Sequence, residues 1–101
     1  MQYLHYSLNL GVHDVVQVDL KSPAYVRLLT EEHYLAYREG KNYRYFGGLA
    51  ESLLANIKPP YQGLWHLCID MGNKEGELGA NVHIIQEVIP DQKQSKGKKK
   101  K

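Results

Sequence analysis

Hydrophobic and polar residues alternate with a period of two along most of the chain. The clearest example is the segment 63–71, whose inner side carries Trp65, Leu67, Ile69 and Met71. Successive side chains of a β-strand point to opposite faces, so this alternation predicts a strand with one apolar face. We therefore expect this segment to lie at the centre of the hydrophobic core.

The same alternation predicts six further strands and one helix. The strands are expected over residues 3–10, 15–20, 24–29, 42–46, 52–58 and 78–84. The helix, around residues 31–39, begins after Thr30, which can cap it, and ends at Gly40. Turn residues at 11–14 and 72–76 predict that the first two and the last two strands form hairpins. We expect so short a helix to pack across an open end or edge of the sheets.

Seven short strands separated by turn residues, with no crossover helices, are typical of a mainly all-β protein. We predict an antiparallel β-sandwich or jelly-roll that forms one domain, residues 1–90. Residues 91–101, the lysine tail, are polar and lack large apolar side chains. A segment of this composition cannot offset the entropy cost of ordering, so we expect the tail to be disordered.

Charge is distributed unevenly along the 101 residues. Six of the 13 basic residues but only one of the 11 acidic residues follow Pro90, which leaves residues 1–90 with a net charge of −3. Domains that bind nucleic acid usually carry a basic face, so nucleic-acid binding is not expected of this body. Nonspecific nucleic-acid binding through the lysine tail stays as an alternative, beside the interpretation of a solvated tail.

The cysteine count and the N-terminal sequence bear on location. Cys68 is the only cysteine, so an internal disulfide is excluded, and residues 1–5 lack the pattern of a signal peptide. No apolar run approaches the roughly 20 residues needed to cross a bilayer. We predict a cytoplasmic protein that does not contact a membrane.

The polar side of the central strand carries His66, Cys68 and Asp70. Same-face residues of a strand are about 6.6 Å apart, so one metal ion cannot contact all three. A metal site would need His5 and His83 from other strands to join His66. We predict no metal and no cofactor, and keep a hydrolase that uses His5, His66, His83 or Cys68 as the enzymatic alternative.

Structural roles are the main interpretation of these same residues. Cys68 has neither a helix N-terminus nor a glycine-rich elbow behind it, which favours an inert buried thiol. The histidines are expected to form hydrogen bonds within the fold. Asp70 precedes a turn and is expected to accept N–H groups from it.

The segment 43–48 has the composition of a binding site. Arg44 offers a rigid fork of donors for a carboxylate or phosphate, and Tyr43 and Tyr45 offer flat rings with polar tips. Gly47 and Gly48 allow a ligand or another backbone to approach closely. These features predict a pocket for an anion or an aromatic ligand.

The alternative for this segment is structural. In it, the tyrosines belong to a strand, the two glycines form a bulge, and Arg44 pairs with a carboxylate such as Glu39 or Asp70. The glycines do not fit a phosphate-binding loop, which needs a longer glycine spacing between a strand and a helix.

Three local patterns, taken together, are similar to those of a known family. They are His5-Tyr6, Tyr43-Arg44-Tyr45-Phe46-Gly47-Gly48, and Gly63-Leu64-Trp65-His66 with Asp70 four residues later. In order and spacing, roughly residues 2–89 resemble the bacterial family of domain of unknown function eighteen-eighty-three. The resemblance implies a small CUB-like β-sandwich, found alone or joined to signalling modules such as TIR domains. It implies no activity, ligand or catalytic residue.

The tyrosines that flank Arg44 beside two glycines, together with the family's occurrence beside signalling modules, predict a non-enzymatic module that binds a small ligand or a partner protein. Its expected setting is a sensor or adaptor role in bacterial signalling. The expected contact surface contains Arg44, Tyr45 and Tyr43, with His5 and His66 as further binding residues.

Overall fold

The computed structural model describes residues 2–86, which form seven strands and one helix. In chain order these are β1 (Leu4–Leu10), β2 (Asp14–Leu20), β3 (Ala24–Leu29), α1 (Glu31–Glu39), β4 (Phe46–Ala50), β5 (Leu54–Ile57), β6 (Gly63–Asp70) and β7 (Ala80–Gln86). The strands form a four-stranded antiparallel sheet, β1-β6-β3-β4, and a three-stranded one, β5-β2-β7. The prediction of an all-β sandwich is confirmed. The predicted disorder of the lysine tail lies outside the described residues.

The main core lies between the two sheets. Its fully buried side chains come from β2, β3 and β6 and include Val16, Val18, Val26, Leu28, Trp65, Leu67 and Ile69. Trp65 has no exposed surface, which confirms the inner face predicted for the central strand. Removing a buried aromatic side chain of this size costs about 3–5 kcal/mol, so this residue contributes strongly to the stability of the sandwich.

The two predicted hairpins are wrong, because each turn leads from one sheet to the other. β1 pairs with β6, placing Leu8 opposite Trp65, whereas β2 pairs with β5 and β7. The turn at 11–14 is closed by the Gly11 N–H, which donates to the Asp14 carboxylate at 2.7 Å. A turn of this kind reverses the direction of the chain, but it does not determine which strands pair with each other.

The helix has the predicted bounds. The hydroxyl of Thr30 accepts the His33 N–H at 3.5 Å, and Gly40 ends the helix in the left-handed conformation with φ of 78°. The predicted position is wrong, because α1 packs on the outer face of the four-stranded sheet rather than at an open end. Its buried Tyr34 and Tyr37 form a second, smaller core on that face.

Residues 42–45 do not continue as a strand, so the strand predicted at 42–46 is displaced to 46–50. β4 begins at Phe46 and pairs with β3, where Gly47 is opposite Arg27. Gly47 has φ of 112°, and a Cβ there would lie 2.2 Å from the Val26 carbonyl oxygen, so only glycine fits. Within residues 2–86, no helix is long and apolar enough to cross a membrane.

Candidate functional site

The outer face of the four-stranded sheet gathers polar side chains beneath α1. β1 and β6 are neighbours, so His5 lies opposite Cys68 and close to His66. β3 lies on the other side of β6, with Arg27 opposite Cys68 and Tyr25 opposite Asp70. The polar side of the central strand is therefore enclosed between two strands and a helix.

Arg27 and Asp70 form a buried ion pair on this face. Their side chains are 11% and 2% exposed, and one guanidinium nitrogen of Arg27 contacts Asp70 Oδ2. The Tyr37 hydroxyl donates to the same oxygen at 2.7 Å, and Asp70 Oδ1 accepts the Gly72 N–H at 2.9 Å. The last bond confirms that Asp70 accepts an N–H from the following turn. Burial, and then the bond to Asp70, raise the pKa of Tyr37.

Four tyrosine rings surround the Arg27 guanidinium. Its Cζ lies 4.6 Å from the ring centroid of Tyr25 and 5.1 Å from that of Tyr45. The rings of Tyr37 and Tyr43 follow at 5.7 and 5.9 Å. Such cation–π contacts attract a cation over a ring face. Arg27 therefore holds Tyr43 and Tyr45 against the sheet, although their segment lacks regular secondary structure.

His5 and His66 form a hydrogen-bonded pair beside this cluster. His5 Nε2 and His66 Nδ1 are 2.8 Å apart, and His66 Nε2 lies 2.7 Å from Glu31 Oε1. The Tyr34 ring stacks on both imidazoles, with centroid distances of 4.2 Å to His5 and 4.5 Å to His66. The Arg38 guanidinium lies 5.6 Å from the Tyr34 centroid on the same helix.

The hydrogen bonds define how protons are arranged in this pair. An ionised Glu31 only accepts, so His66 donates through Nε2, and in its neutral form its Nδ1 accepts from His5. Burial lowers the pKa of His5, and the charges of His66 and Arg38 lower it further. Both imidazoles are therefore satisfied within the fold, as the structural interpretation of the sequence expects.

The other residues of the enzymatic alternative are His83, which lies apart from this pair, and Cys68, which lies opposite His5 but is an inert thiol. His83 lies on β7 of the other sheet, where its Nε2 is 3.5 Å from Asp19. Cys68 is fully buried, and burial, followed by the charge of Asp70, raises its pKa to about 12. Among residues 2–86, no group of three or more His, Cys, Asp or Glu side chains is placed to hold a metal ion.

An open pocket lies beside Arg44, at the start of β4. It has a volume of about 340 Å³, and we call it the aromatic pocket. Its lining is Leu28, Thr30, His33, Arg44, Tyr45, Phe46 and Tyr61. A larger recess of about 460 Å³ lies near residues 71–78, but its lining contains no aromatic ring. The aromatic pocket combines exposed rings with a cation, which this larger recess does not.

The walls of the aromatic pocket rest on the central tryptophan. Phe46 and Tyr61 are 48% and 53% exposed, and their ring centroids lie 5.8 and 4.9 Å from that of Trp65. The Trp65 Nε1–H donates to the Tyr61 carbonyl at 3.0 Å, which fixes the loop that carries this ring. Solvent-exposed rings supported on a buried one form a rigid apolar surface.

Arg44 and His33 supply the polar groups of the aromatic pocket. The Arg44 backbone N–H donates to His33 Nδ1 at 3.1 Å, so a neutral His33 carries its proton on Nε2. Asp70 pairs with Arg27 and Glu39 with Lys41, so neither predicted partner pairs with Arg44. Within the described part of the chain, the Arg44 guanidinium forms no ion pair. The structural alternative for Arg44 is therefore wrong.

The sequence-predicted site residues thus divide into two places. Arg44 and Tyr45 line the aromatic pocket, whereas His5 and His66 lie in the cluster beneath α1 and Tyr43 packs between Tyr37 and Tyr45. Sequence reasoning missed His33, Phe46 and Tyr61. They come from three separate segments. In the sequence, Phe46 and Tyr61 are aromatic residues beside Gly47 and Pro60, whereas no pattern marks His33.

Comparison with known proteins places the chain in a family. No curated protein and no solved structure matches it. Residues 1–88, which include all described strands and the helix, match the family described as Domain of unknown function (DUF1883). The chain therefore belongs to this family, as the resemblance in its tyrosine-rich and tryptophan-containing segments implied.

Proposed function

We propose that this domain is a non-enzymatic binding module whose aromatic pocket holds a small ligand with an aromatic or apolar body and an anionic group. The observation that supports this proposal is the guanidinium of Arg44, which forms no ion pair within residues 2–86 and lies beside the exposed rings of Tyr45, Phe46 and Tyr61. Ligand sites typically combine apolar walls with a few polar groups that set orientation. The pocket has this combination.

The size and charge of the pocket narrow the ligand class. A volume of about 340 Å³ is at the lower end of the range of ligand sites, about 300–1,000 Å³, and suits one ring with a short substituent. The Arg44 fork matches a carboxylate or phosphate, and the Nε2–H of a neutral His33 adds a donor. A free small molecule or a peptide side chain carrying such a group fits this chemistry.

Binding is a better match for these residues than catalysis. The pocket lining contains no cysteine or carboxylate, and its single imidazole uses Nδ1 to accept the Arg44 N–H. A hydrolytic site needs a nucleophile within hydrogen-bond reach of a base. A sensor or adaptor role, in which ligand occupancy alters contacts with a partner, requires only the pocket.

The sole tryptophan gives a direct test of binding. Trp65 is in contact with two pocket walls, so a ligand should change its fluorescence. We would titrate phenyl phosphate and benzoate, with benzyl alcohol as the neutral probe, and measure melting temperature in parallel. We expect saturable changes with the two anions and at least tenfold weaker binding by Arg44→Gln, since a charged hydrogen bond contributes about 1.5–3 kcal/mol.

Lys41→Gln is the matched control, because Lys41 is a nearby exposed cation that pairs with Glu39 outside the pocket. It should bind both anions as the wild type does. The proposal fails if neither anion affects Trp65 fluorescence or melting temperature. It also fails if Arg44→Gln, with an unchanged melting temperature, binds them as tightly as the wild type.

A further inference from the structure

β1 is an edge strand whose outer side has no partner among the described residues. The four-stranded sheet runs β1-β6-β3-β4, so within residues 2–86 β1 pairs only with β6 along its seven residues. The outward N–H and C=O groups of such an edge can pair with another strand.

β1 also lacks the features that usually protect an edge. Its sequence, LHYSLNL, contains no proline, lysine, glycine or bulge. The opposite edge, β4, has five residues and is distorted at Gly47, and β5 has only four residues and is followed by Pro59 and Pro60. β1 is therefore a long, regular and unprotected edge.

The sequence of β1 is complementary to itself when two copies run antiparallel. A twofold axis at Ser7 places each residue opposite a residue of the same character: Leu4 with Leu10, His5 with Asn9, Tyr6 with Leu8, and Ser7 with Ser7. Apolar residues then meet on the core side and uncharged polar residues on the outer side, as cross-strand pairing requires.

β7, the other seven-residue edge, is not complementary to itself over its full length. Only a five-residue register about Val82, with Ala80 opposite Ile84 and Asn81 opposite His83, pairs residues of the same character. A twofold axis at His83 would place Ala80 opposite Gln86 and Asn81 opposite Ile85, so polar side chains would face apolar ones. The comparison favours β1 over β7 as a self-pairing strand.

The inner face of β1 is also incompletely covered. Leu4, Tyr6 and Leu8 keep part of their surface exposed, whereas Trp65, Leu67 and Ile69 on the adjacent β6 have none. A neighbouring strand with an apolar row on the same side would cover the exposed parts of the three β1 side chains.

We propose that two copies of this chain associate through antiparallel pairing of their β1 strands about a twofold axis at Ser7, forming one continuous eight-stranded sheet. Such an interface is isologous and closes on itself. The aromatic pocket takes Phe46 from β4, three strands away from β1, so the dimer leaves that pocket open.

Charge placed at the twofold axis tests the proposal. In the full chain, Ser7→Lys and Ser7→Glu each put two like charges opposite each other, since Ser7 is exposed and meets its own copy. We expect the wild type to be dimeric in sedimentation velocity over a concentration series, each variant to be monomeric, and an equimolar mixture of the two to form a heterodimer. Circular dichroism and melting temperature establish that the variants are folded. Asn81→Lys on β7 is the control and should remain dimeric.

A cysteine at the axis gives a test that does not depend on weakening the interface. Ser7→Cys places two thiols across an antiparallel pair at a separation compatible with a disulfide, and native Cys68 is buried and does not compete. Under oxidising conditions we expect a covalent dimer from Ser7→Cys and none from Asn81→Cys. A wild type that stays monomeric at every concentration overturns the proposal. So does a dimer that survives both charged variants, or one that Asn81→Lys abolishes.

Discussion

At the scale of single residues, Asp70 connects three parts of the outer face. It pairs with Arg27 of β3 and accepts the Tyr37 hydroxyl of α1 and the backbone N–H of Gly72. Removing one partner of a buried ion pair leaves an uncompensated charge, which costs about 3–5 kcal/mol. Asp70 is therefore a structural residue that joins sheet, helix and turn.

The contribution of the Tyr37 hydroxyl to the stability of this network can be measured with one substitution. Tyr37→Phe removes a hydrogen bond of 2.7 Å to a buried carboxylate and keeps the ring. We expect the free energy of unfolding to fall by about 1.5–3 kcal/mol, the range for hydrogen bonds to charged groups. Urea denaturation followed by Trp65 fluorescence measures this change. Tyr6→Phe, which removes a hydroxyl without a hydrogen bond to another described residue, should change the free energy of unfolding by less than about 0.5 kcal/mol.

The buried thiol of Cys68 makes the protein sensitive to alkali. Its pKa is raised from 9.0 to about 12, first by burial, so the folded state keeps a proton that the unfolded state releases. The stabilisation is thus present below pH 9 and is lost as the pH rises towards 12. Between pH 8 and 10 we expect a loss of about 1.4 kcal/mol from this group.

Cys68→Ala provides the comparison for this prediction. The variant is less stable at neutral pH because it leaves a small cavity, but its free energy of unfolding should fall less between pH 8 and 10. Equal losses in wild type and variant would contradict the raised pKa. The native thiol should also resist alkylation at pH 8 and react once the protein is unfolded.

At the scale of elements, the sequence identifies strands better than it identifies their neighbours. The sequence correctly predicts the inner face that contains Trp65, because one face of β6 is buried against the other sheet. The hairpin predictions are wrong, because β1 and β2 show the same alternation whether they share a sheet or lie in two facing sheets. Pairing depends on long-range register, which the turn at 11–14 does not encode.

The tyrosine-rich segment shows a second limit of local patterns. Tyr43 and Tyr45 alternate as in a strand, but a cation from a different element determines their position. Arg27 lies within 6 Å of both ring centroids. Neither the contact nor the buried pair with Asp70 is visible in a sequence pattern, since Arg27 and Asp70 are 43 residues apart. Arg44, by contrast, is predictable as a site residue because it lies between two tyrosines in the sequence itself.

The close approach of β4 to β3 at Gly47 can be tested by its effect on the free energy of unfolding. Gly47→Ala would bring a Cβ to 2.2 Å from the Val26 carbonyl oxygen at a φ of 112°. Because a backbone atom cannot move aside cheaply, we expect a loss of more than about 2 kcal/mol in the free energy of unfolding. Gly40→Ala is the control: its φ is 78°, nothing lies within 4 Å, and it should cost only about 1 kcal/mol. If Gly47→Ala and Gly40→Ala lower the free energy of unfolding by similar amounts in denaturant, the close approach at Gly47 does not restrict the residue there.

At the scale of the whole molecule, charge is divided unevenly between residues 1–90 and the lysine tail. Residues 1–90 carry a net charge of −3, whereas residues 91–101 contain six lysines and one acidic residue. Contacts to phosphate depend on positive charge. If the protein binds nucleic acid nonspecifically, the affinity for nucleic acid is therefore expected to come from the lysine tail. The ligand proposed for the aromatic pocket is instead a small anion, because Arg44 offers a single guanidinium there.

Salt dependence distinguishes these two kinds of anion binding. If the full chain binds duplex DNA through the lysine tail, the logarithm of its affinity should fall with the logarithm of salt concentration with a slope no steeper than about −5, set by the six tail lysines. Fluorescence anisotropy of a labelled duplex measures this slope. A chain that ends at residue 90 should not bind the duplex, and Arg44→Gln in the full chain should leave the slope unchanged. Binding of the duplex by residues 1–90 would contradict the assignment of DNA affinity to the tail. Residues 1–90 carry a net charge of −3, so such binding would require their basic side chains to be concentrated on one face.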